Sequence, residues 1–134
     1  MPEGSRFELP LTVLVATPGV CGGVVATDDG LPLAVRLQAG HDREALSAAA
    51  AVLGRLAAMV IATLDRGELE LGVLEGEKLR LMVRPLSLGF LLVLTEPEAN
   101  LGLIAREIAR AAEALEQAAA AVGADWMAAQ GGAA

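Results

Sequence analysis

The sequence predicts an α+β domain. One five-stranded antiparallel sheet carries a long middle helix on one face. The C-terminal helix and a short N-terminal helix cover the other. Three observations predict it. Val20–Thr27 and Gly89–Leu94 are apolar on both parities, which suits central strands covered on two faces. Leu31–Gln38, Glu68–Glu75 and Lys78–Arg84 alternate apolar and polar, as half-buried strands do. Two long segments, Asp42 to about Asp65 and Ala99 to about Val122, carry apolar residues at helical spacing.

Residues 1–8 are polar and read as a tail. Leu9–Ala16 admits two readings. Pro10 at a first helical position suits a short helix through Leu11, Leu14 and Val15. Thr12, Val13 and Val15 are β-branched and suit extended chain. Pro18-Gly19 ends the segment. After the first strand, Asp28-Asp29-Gly30 is a hairpin signal, with Asp29 and Gly30 as the turn pair. Pro32 sits at the start of the second strand, where an edge tolerates a missing donor.

Asp42 reads as the N-cap of the middle helix, and Gly67 as its stop. Leu46, Ala50, Leu53, Ala57, Val60 and Leu64 mark its core face; Ala48, Ala51, Arg55, Ala58 and Ala62 mark the opposite one. Glu68–Glu75 points Leu69, Leu71 and Val73 inward and reads as an edge strand, as does Leu31–Gln38. Lys78–Arg84 points Leu79, Leu81 and Val83 inward, with Lys78, Arg80 and Arg84 on the other parity. Glu96-Pro97-Glu98 opens the last helix, whose stripe is Leu101, Ile104, Ile108, Ala111, Leu115 and Val122; Gly123 ends it. The chain is thus one domain over 1–134, with a core of about 9–123 and flexible tails at 1–8 and 124–134.

Composition excludes several functions. Hydrophobic residues make up 54%, too many for a disordered chain. Aromatics are 2%, too few to stack bases, and a net charge of −7 opposes binding to a phosphate backbone, so no nucleic-acid partner is expected. One cysteine and one histidine leave no internal disulfide and no Cys- or His-rich metal site. Ala45–Leu64 approaches the length of a membrane span. It is rich in Ala, which drives insertion weakly, and holds Arg55 near its centre, so no membrane insertion is expected. The start of the chain shows no secretory pattern, and with a lone thiol this points to the cytoplasm.

No catalytic constellation is legible. Cys21 falls inside a central strand and reads as a small buried hydrophobe. His41 stands in a loop. Gly22-Gly23 lies within a strand rather than before a helix, and Asp28-Asp29 belongs to a turn. No catalytic, cofactor or metal residue is assigned, and the chain is expected not to be an enzyme.

The surface is more informative. Between Ala45 and Leu64 the only charge is Arg55, although a helix on a sheet buries one face only. A second protein surface is the expected cover. The edge strand Glu68–Glu75 follows directly, and exposed edges invite pairing. Together they predict a homodimer with Ala51, Arg55, Ala58 and Ala62 near their symmetry mates. Leu69, Leu71 and Val73 would form one continuous apolar floor across it. For Trp126 and Met127 three readings stand: docking near Leu11 and Leu14, a disordered Ala/Gly tail, or a partner site anchored by Trp126.

PGVCGGVVATDDGLPLAV (Pro18–Val35) and FLLVLTEPEANLGLIAREI (Phe90–Ile108) resemble the Roadblock family, the dynein light-chain and bacterial gliding-motility regulator group. The first is similar to its Gly-Val, apolar strand, Asp-Gly-Leu hairpin and second strand. The second is similar to its apolar strand, acidic turn, Asn-Leu-Gly and C-terminal helix. An Ala-rich helix lies between them, and the resemblance covers about residues 18–118. It implies a Roadblock, profilin-like fold. It also implies a homodimer joined edge to edge through the third strand, with the middle helices side by side. The implied partner is a small Ras-like GTPase, which the dimer scaffolds, activates or regulates without a catalytic set of its own. The family's first helix is fuller than Leu11–Ala16, so a shortened first helix is expected. Two other functions stand beside this one: a purely structural adaptor, and a small-molecule sensor, which the scarcity of polar groups in the core disfavours.

Overall fold

The computed structural model describes residues 3–131. Its elements are α1 (Glu3–Val15), β1 (Val20–Thr27), β2 (Pro32–Leu37), α2 (Arg43–Thr63), β3 (Gly72–Glu75), β4 (Arg80–Leu86), β5 (Gly89–Thr95) and α3 (Leu101–Gly131). The strands form one antiparallel sheet in the order β2-β1-β5-β4-β3. The two doubly apolar runs are the central strands β1 and β5, β4 is also internal, and β2 and β3 are the edges, as expected for Leu31–Gln38 and Glu68–Glu75.

Two cores form, one on each side of the sheet. Val25, Met82, Leu91 and Val93 meet Phe7, Leu11 and Leu14 of α1 and Ile104, Ile108 and Leu115 of α3. On the opposite side Val24, Val83, Phe90, Leu92 and Leu94 meet Ala50 of α2.

Three expectations are corrected. Leu9–Val15 belongs to a full first helix rather than a shortened one, Ala16 falls in the turn after it, and part of the expected N-terminal tail, from Glu3 on, lies in the helix. Phe7, Leu11 and Leu14 fall at i, i+4 and i+7 and are all buried. That stripe outweighs Pro10, which removes one helical hydrogen bond. At the other end, Gly123 does not stop α3, which continues to Gly131. A Cβ at Gly123 would meet nothing, so this glycine costs only its propensity, about 1 kcal/mol against Ala. Glu68–Leu71 is not strand, and β3 is only four residues long. Continuing the register from Gly72↔Val83 would place Glu70 opposite Pro85, which has no N–H for a further ladder bond.

Turn chemistry follows the sequence closely. The Gly30 N–H donates to the Thr27 carbonyl at 2.9 Å, and the Thr27 N–H to the Leu31 carbonyl at 2.9 Å. Gly30 has φ +87°, so Asp28-Asp29-Gly30 is a three-residue hairpin loop ending in a left-handed glycine. Asp42 caps α2, its Oδ1 accepting from the Glu44 and Ala45 N–H groups at 3.0 and 3.2 Å. At the C-terminal end of α2, Asp65 takes the left-handed conformation ahead of Gly67.

Candidate functional site

The surface singled out by the sequence is the outer side of α2 with the neighbouring edge β3. Its geometry starts at Gly54. A Cβ there would overlap the Phe90 ring, so only glycine lets α2 come this close to β5. That contact fixes the helix rotation. Ser47, Ala50, Ala51 and Gly54 are its buried residues. The Ser47 hydroxyl is satisfied within the helix, donating to the Arg43 carbonyl at 2.7 Å.

This corrects the predicted faces. Ala51 is 2% exposed and packs inward, so it is not on the outer face. Val60 and Leu64, read as core, point out. The outer face is Val52, Leu56, Met59, Val60 and Leu64, each between 52% and 64% exposed. Arg55 and Ala62 lie on the exposed side and Ala58 at its margin, half-buried. Counting bulky aliphatics as core misplaced the stripe. The signal that finds it is Gly54, a glycine in mid-helix, which marks close backbone approach more often than flexibility.

Beside this face the edge is short. Leu69 lines a notch of about 250 Å³ with Ala58, Ala62, Glu68 and Pro85. Leu71 instead packs against the α1/α3 core. Val73 pairs with Met82 of that same core and is partly exposed. The three leucine and valine positions therefore do not make one continuous floor, because Glu68–Leu71 lacks strand pleating. Leu74 is exposed beside Val73.

At the end of β3 stands a residue the sequence reading placed on an exposed parity. Arg80 is buried, facing the α3 side. Its Nε donates to Glu75 Oε1 at 3.0 Å, its Nη1 to the Ala99 carbonyl at 2.9 Å, and its Nη2 to the Pro97 carbonyl at 2.6 Å. One guanidinium thereby joins the edge strand to the turn before α3. A similar tie closes the β4–β5 hairpin, where the Ser87 N–H and hydroxyl donate to the Glu116 carboxylate at 3.0 Å each.

The remaining candidates are dispersed. Cys21 is half-buried; burial, and then the nearby Glu96 and Glu98 charges, push its thiol pKa up, which disfavours the thiolate. His41 is exposed. Among the described residues no three His, Cys, Asp or Glu side chains gather to hold a metal ion. Trp126 and Met127 are more than 60% exposed on the last turns of α3, so they do not dock on Leu11 and Leu14, which α3 and the sheet already bury. Asp125 Oδ2 pairs with Arg6 Nη1 at 2.7 Å, tying this extension to α1. Among the described residues α2 is the one helix long and apolar enough to cross a membrane, and its inner side is seated on the sheet.

An antiparallel sheet in this order, with one long helix on one side and two on the other, has counterparts among known proteins. The model of the Roadblock/LC7 domain family matches residues 7–96. The chain belongs to the Roadblock/LC7 family. An uncharacterized protein of Methanocaldococcus jannaschii is 35% identical over 106 residues, 79% of this chain and 93% of that protein. Among solved structures, Myxococcus xanthus MglB superposes with a TM-score of 0.78 at 17% identity, covering 87% of this chain and 90% of that one. A Roadblock/LC7 domain from Streptomyces avermitilis gives 0.75 at 24% identity, covering 82% and 94%. At these identities the structures show the Roadblock fold. Family membership gives the chain an interaction role of the Roadblock type.

Proposed function

We propose that the chain is a non-enzymatic homodimer that binds and regulates a small Ras-like GTPase, the partner class its family resemblance implies. The observation that carries the dimer is the outward row Val52, Leu56, Met59, Val60 and Leu64 on α2. Among the described residues no element covers this row, and it lies beside an edge strand whose outer side pairs with no described strand. An apolar row flanked by an unpaired edge favours a cover that offers the same two features, which a second copy does. The interface then consists of α2 against its symmetry mate and β3 against its own. Arg55, Ala58 and Ala62 lie within it, and the notch at Leu69 at its rim. The GTPase binds the assembled dimer, and the nucleotide chemistry stays with the GTPase.

Light scattering on Leu56→Glu tests the dimer. The native chain is expected to give twice the monomer mass and the variant the monomer mass, because the interface would bury an unpaired charge. A variant that stays dimeric removes α2 from the interface. The partner is tested by capture of the small Ras-like GTPases encoded in the same genome, loaded with GDP or a non-hydrolysable GTP analogue, followed by single-turnover hydrolysis. Capture with altered turnover supports regulation. Capture with unaltered turnover reduces the role to an adaptor, and no capture in either state overturns the GTPase reading.

A further inference from the structure

Two arginines leave β4 on the side of α1 and α3, the side they share with Met82 and Leu86 of that core. Arg80 is fully partnered there, by Glu75 and by the Pro97 and Ala99 carbonyls. Arg84 is half-buried, and among the described residues no carboxylate pairs with it. Nearby acids of its own chain are engaged elsewhere. Glu116 holds Ser87, and Glu68 lies in the notch on the α2 side. Continuing the pairing from Gly72↔Val83 sets Leu71 beside Arg84, and beyond Leu71 lies the free edge of the sheet. Glu75 points to the same side of β3 as Val73, which pairs with Met82. It is 60% exposed; its Oε1 accepts from Arg80, and its Oε2 accepts from no described residue.

We propose that Arg84 is a carboxylate site that the Glu75 of a second copy completes across the paired β3 edges. This rests on the dimer reading above and adds its register. For the two outward rows of α2 to meet, both helices must lie on the same side of the joined sheet. The two-fold axis then runs perpendicular to the sheet, and the two β3 strands are antiparallel. Side chains directly opposite in such a pair share a side, while neighbours along a strand alternate. A residue of β3 therefore stands opposite its own mate. Glu75 in that place sets like charges together. Gly72 sets Glu75 opposite the partner's Leu69, and Leu74 sets it opposite the partner's Val73, beside Met82. Val73 on the axis sets each Glu75 opposite the partner's Leu71, with the partner's Arg84 next in line on the same side. The two backbones are then two strand spacings apart, about 10 Å, which the two long side chains span over Leu71. Each pair is made twice, once on either side of the axis.

The experiment measures dimer dissociation by light scattering on the full chain, with Arg84→Gln and Arg84→Glu as variants. Cysteine cross-linking of Val73→Cys and Leu74→Cys, each in a Cys21→Ala background, reads the register without touching Arg84. Arg84→Gln is expected to weaken the dimer about five-fold, and Arg84→Glu by more than ten-fold, since each change counts twice. Added salt should weaken the native dimer and leave Arg84→Gln nearly unmoved. Val73→Cys should form the disulfide readily, its mate standing directly opposite, and Leu74→Cys slowly. Native affinity in both Arg84 variants, or faster cross-linking at Leu74 than at Val73, overturns the site and leaves the dimer standing. A native chain that is monomeric at every concentration overturns the dimer and the site with it.

Discussion

On one side of the sheet, α1 and α3 press Phe7, Leu11, Leu14, Ile104, Ile108 and Leu115 into the core, with Leu9, Val13 and Leu101 left exposed among polar residues. On the other, α2 buries Ser47, Ala50, Ala51 and Gly54 and turns Val52, Leu56, Met59, Val60 and Leu64 to the surface. The first pair buries its main apolar stripe against the sheet, as amphipathic helices do. The second is largely inverted: Ala50, Ala51 and Gly54 bring the helix close, with Leu46 and Leu53 at the flanks of the core, while Val52, Leu56, Met59 and Val60 turn more than half of their surface outward. Close seating and outward bulk together make α2 a helix whose packing is finished by something else. The side chains that seat α2 and those it offers for recognition are thus divided between the two sides of one helix.

The division is sharpest under truncation. Ile108→Ala or Leu115→Ala should cost about 2–5 kcal/mol in denaturant unfolding, the range for emptying a filled core site. Leu56→Ala, an equally large deletion on α2, should move the unfolding free energy of the dilute monomer by less than about 0.5 kcal/mol, as surface changes do. Equal costs at Ile108 and Leu56 would break the comparison.

A second test adds atoms where α2 is closest. Gly54→Ala puts a methyl into the Phe90 ring, so Phe90 or the helix must shift. The net expectation is a loss of about 1–3 kcal/mol, the usual range for overpacking, despite the better helix propensity of Ala. A gain in stability would mean that α2 rides higher on the sheet than described.

These positions also show how far the sequence could be read. The inner and edge strands, the Asp42 cap and the Gly30 turn were legible because each depends on neighbours in the chain. The Roadblock resemblance lay in Pro18–Val35 and Phe90–Ile108, which are β1, β2, β5 and the head of α3. The rotation of α2 was not legible from size and spacing, because Ala51 and Val60 are both apolar and only the distant Phe90 decides which turns in. The burial of Arg80 was hidden for the same reason, since its three partners come from Glu75, Pro97 and Ala99. Of the expected tails 1–8 and 124–134, residues 3–8 and 124–131 are helical, and the sequence hides this because the Arg6–Asp125 pair that joins α1 to the far part of α3 spans almost the whole chain.

A smaller effect in free energy, though not in assembly, is expected for Leu56→Glu. The exposed site accepts a carboxylate, so the dilute monomer should unfold within about 0.5 kcal/mol of the native chain. The native melting temperature should rise with protein concentration, as mass action requires of a dimer, and that rise should vanish in the variant. A concentration-dependent melt that survives Leu56→Glu would move the association to another surface, with the exposed Leu9 and Val13 of α1 the next to test.

The smallest effect belongs to Trp126. In sequence it continues the α3 stripe, four residues after Val122, which packs on the α1/α3 core. In space the stripe has run past its cover, and the indole stands 64% exposed. Trp126→Ala should therefore change the unfolding free energy by less than about 0.5 kcal/mol, against the 3–5 kcal/mol that a buried Trp would cost. As the sole tryptophan it reports on its own surroundings. Its emission should be that of an indole in water and open to quenching by iodide. It should stay so when Leu56→Glu removes the dimer, because Trp126 belongs to the α1/α3 side. A shift to the blue on adding the captured GTPase would make Trp126 part of the partner site. A native emission already blue and protected would mean that the extension is covered in solution, and that the α1/α3 side also carries a contact surface.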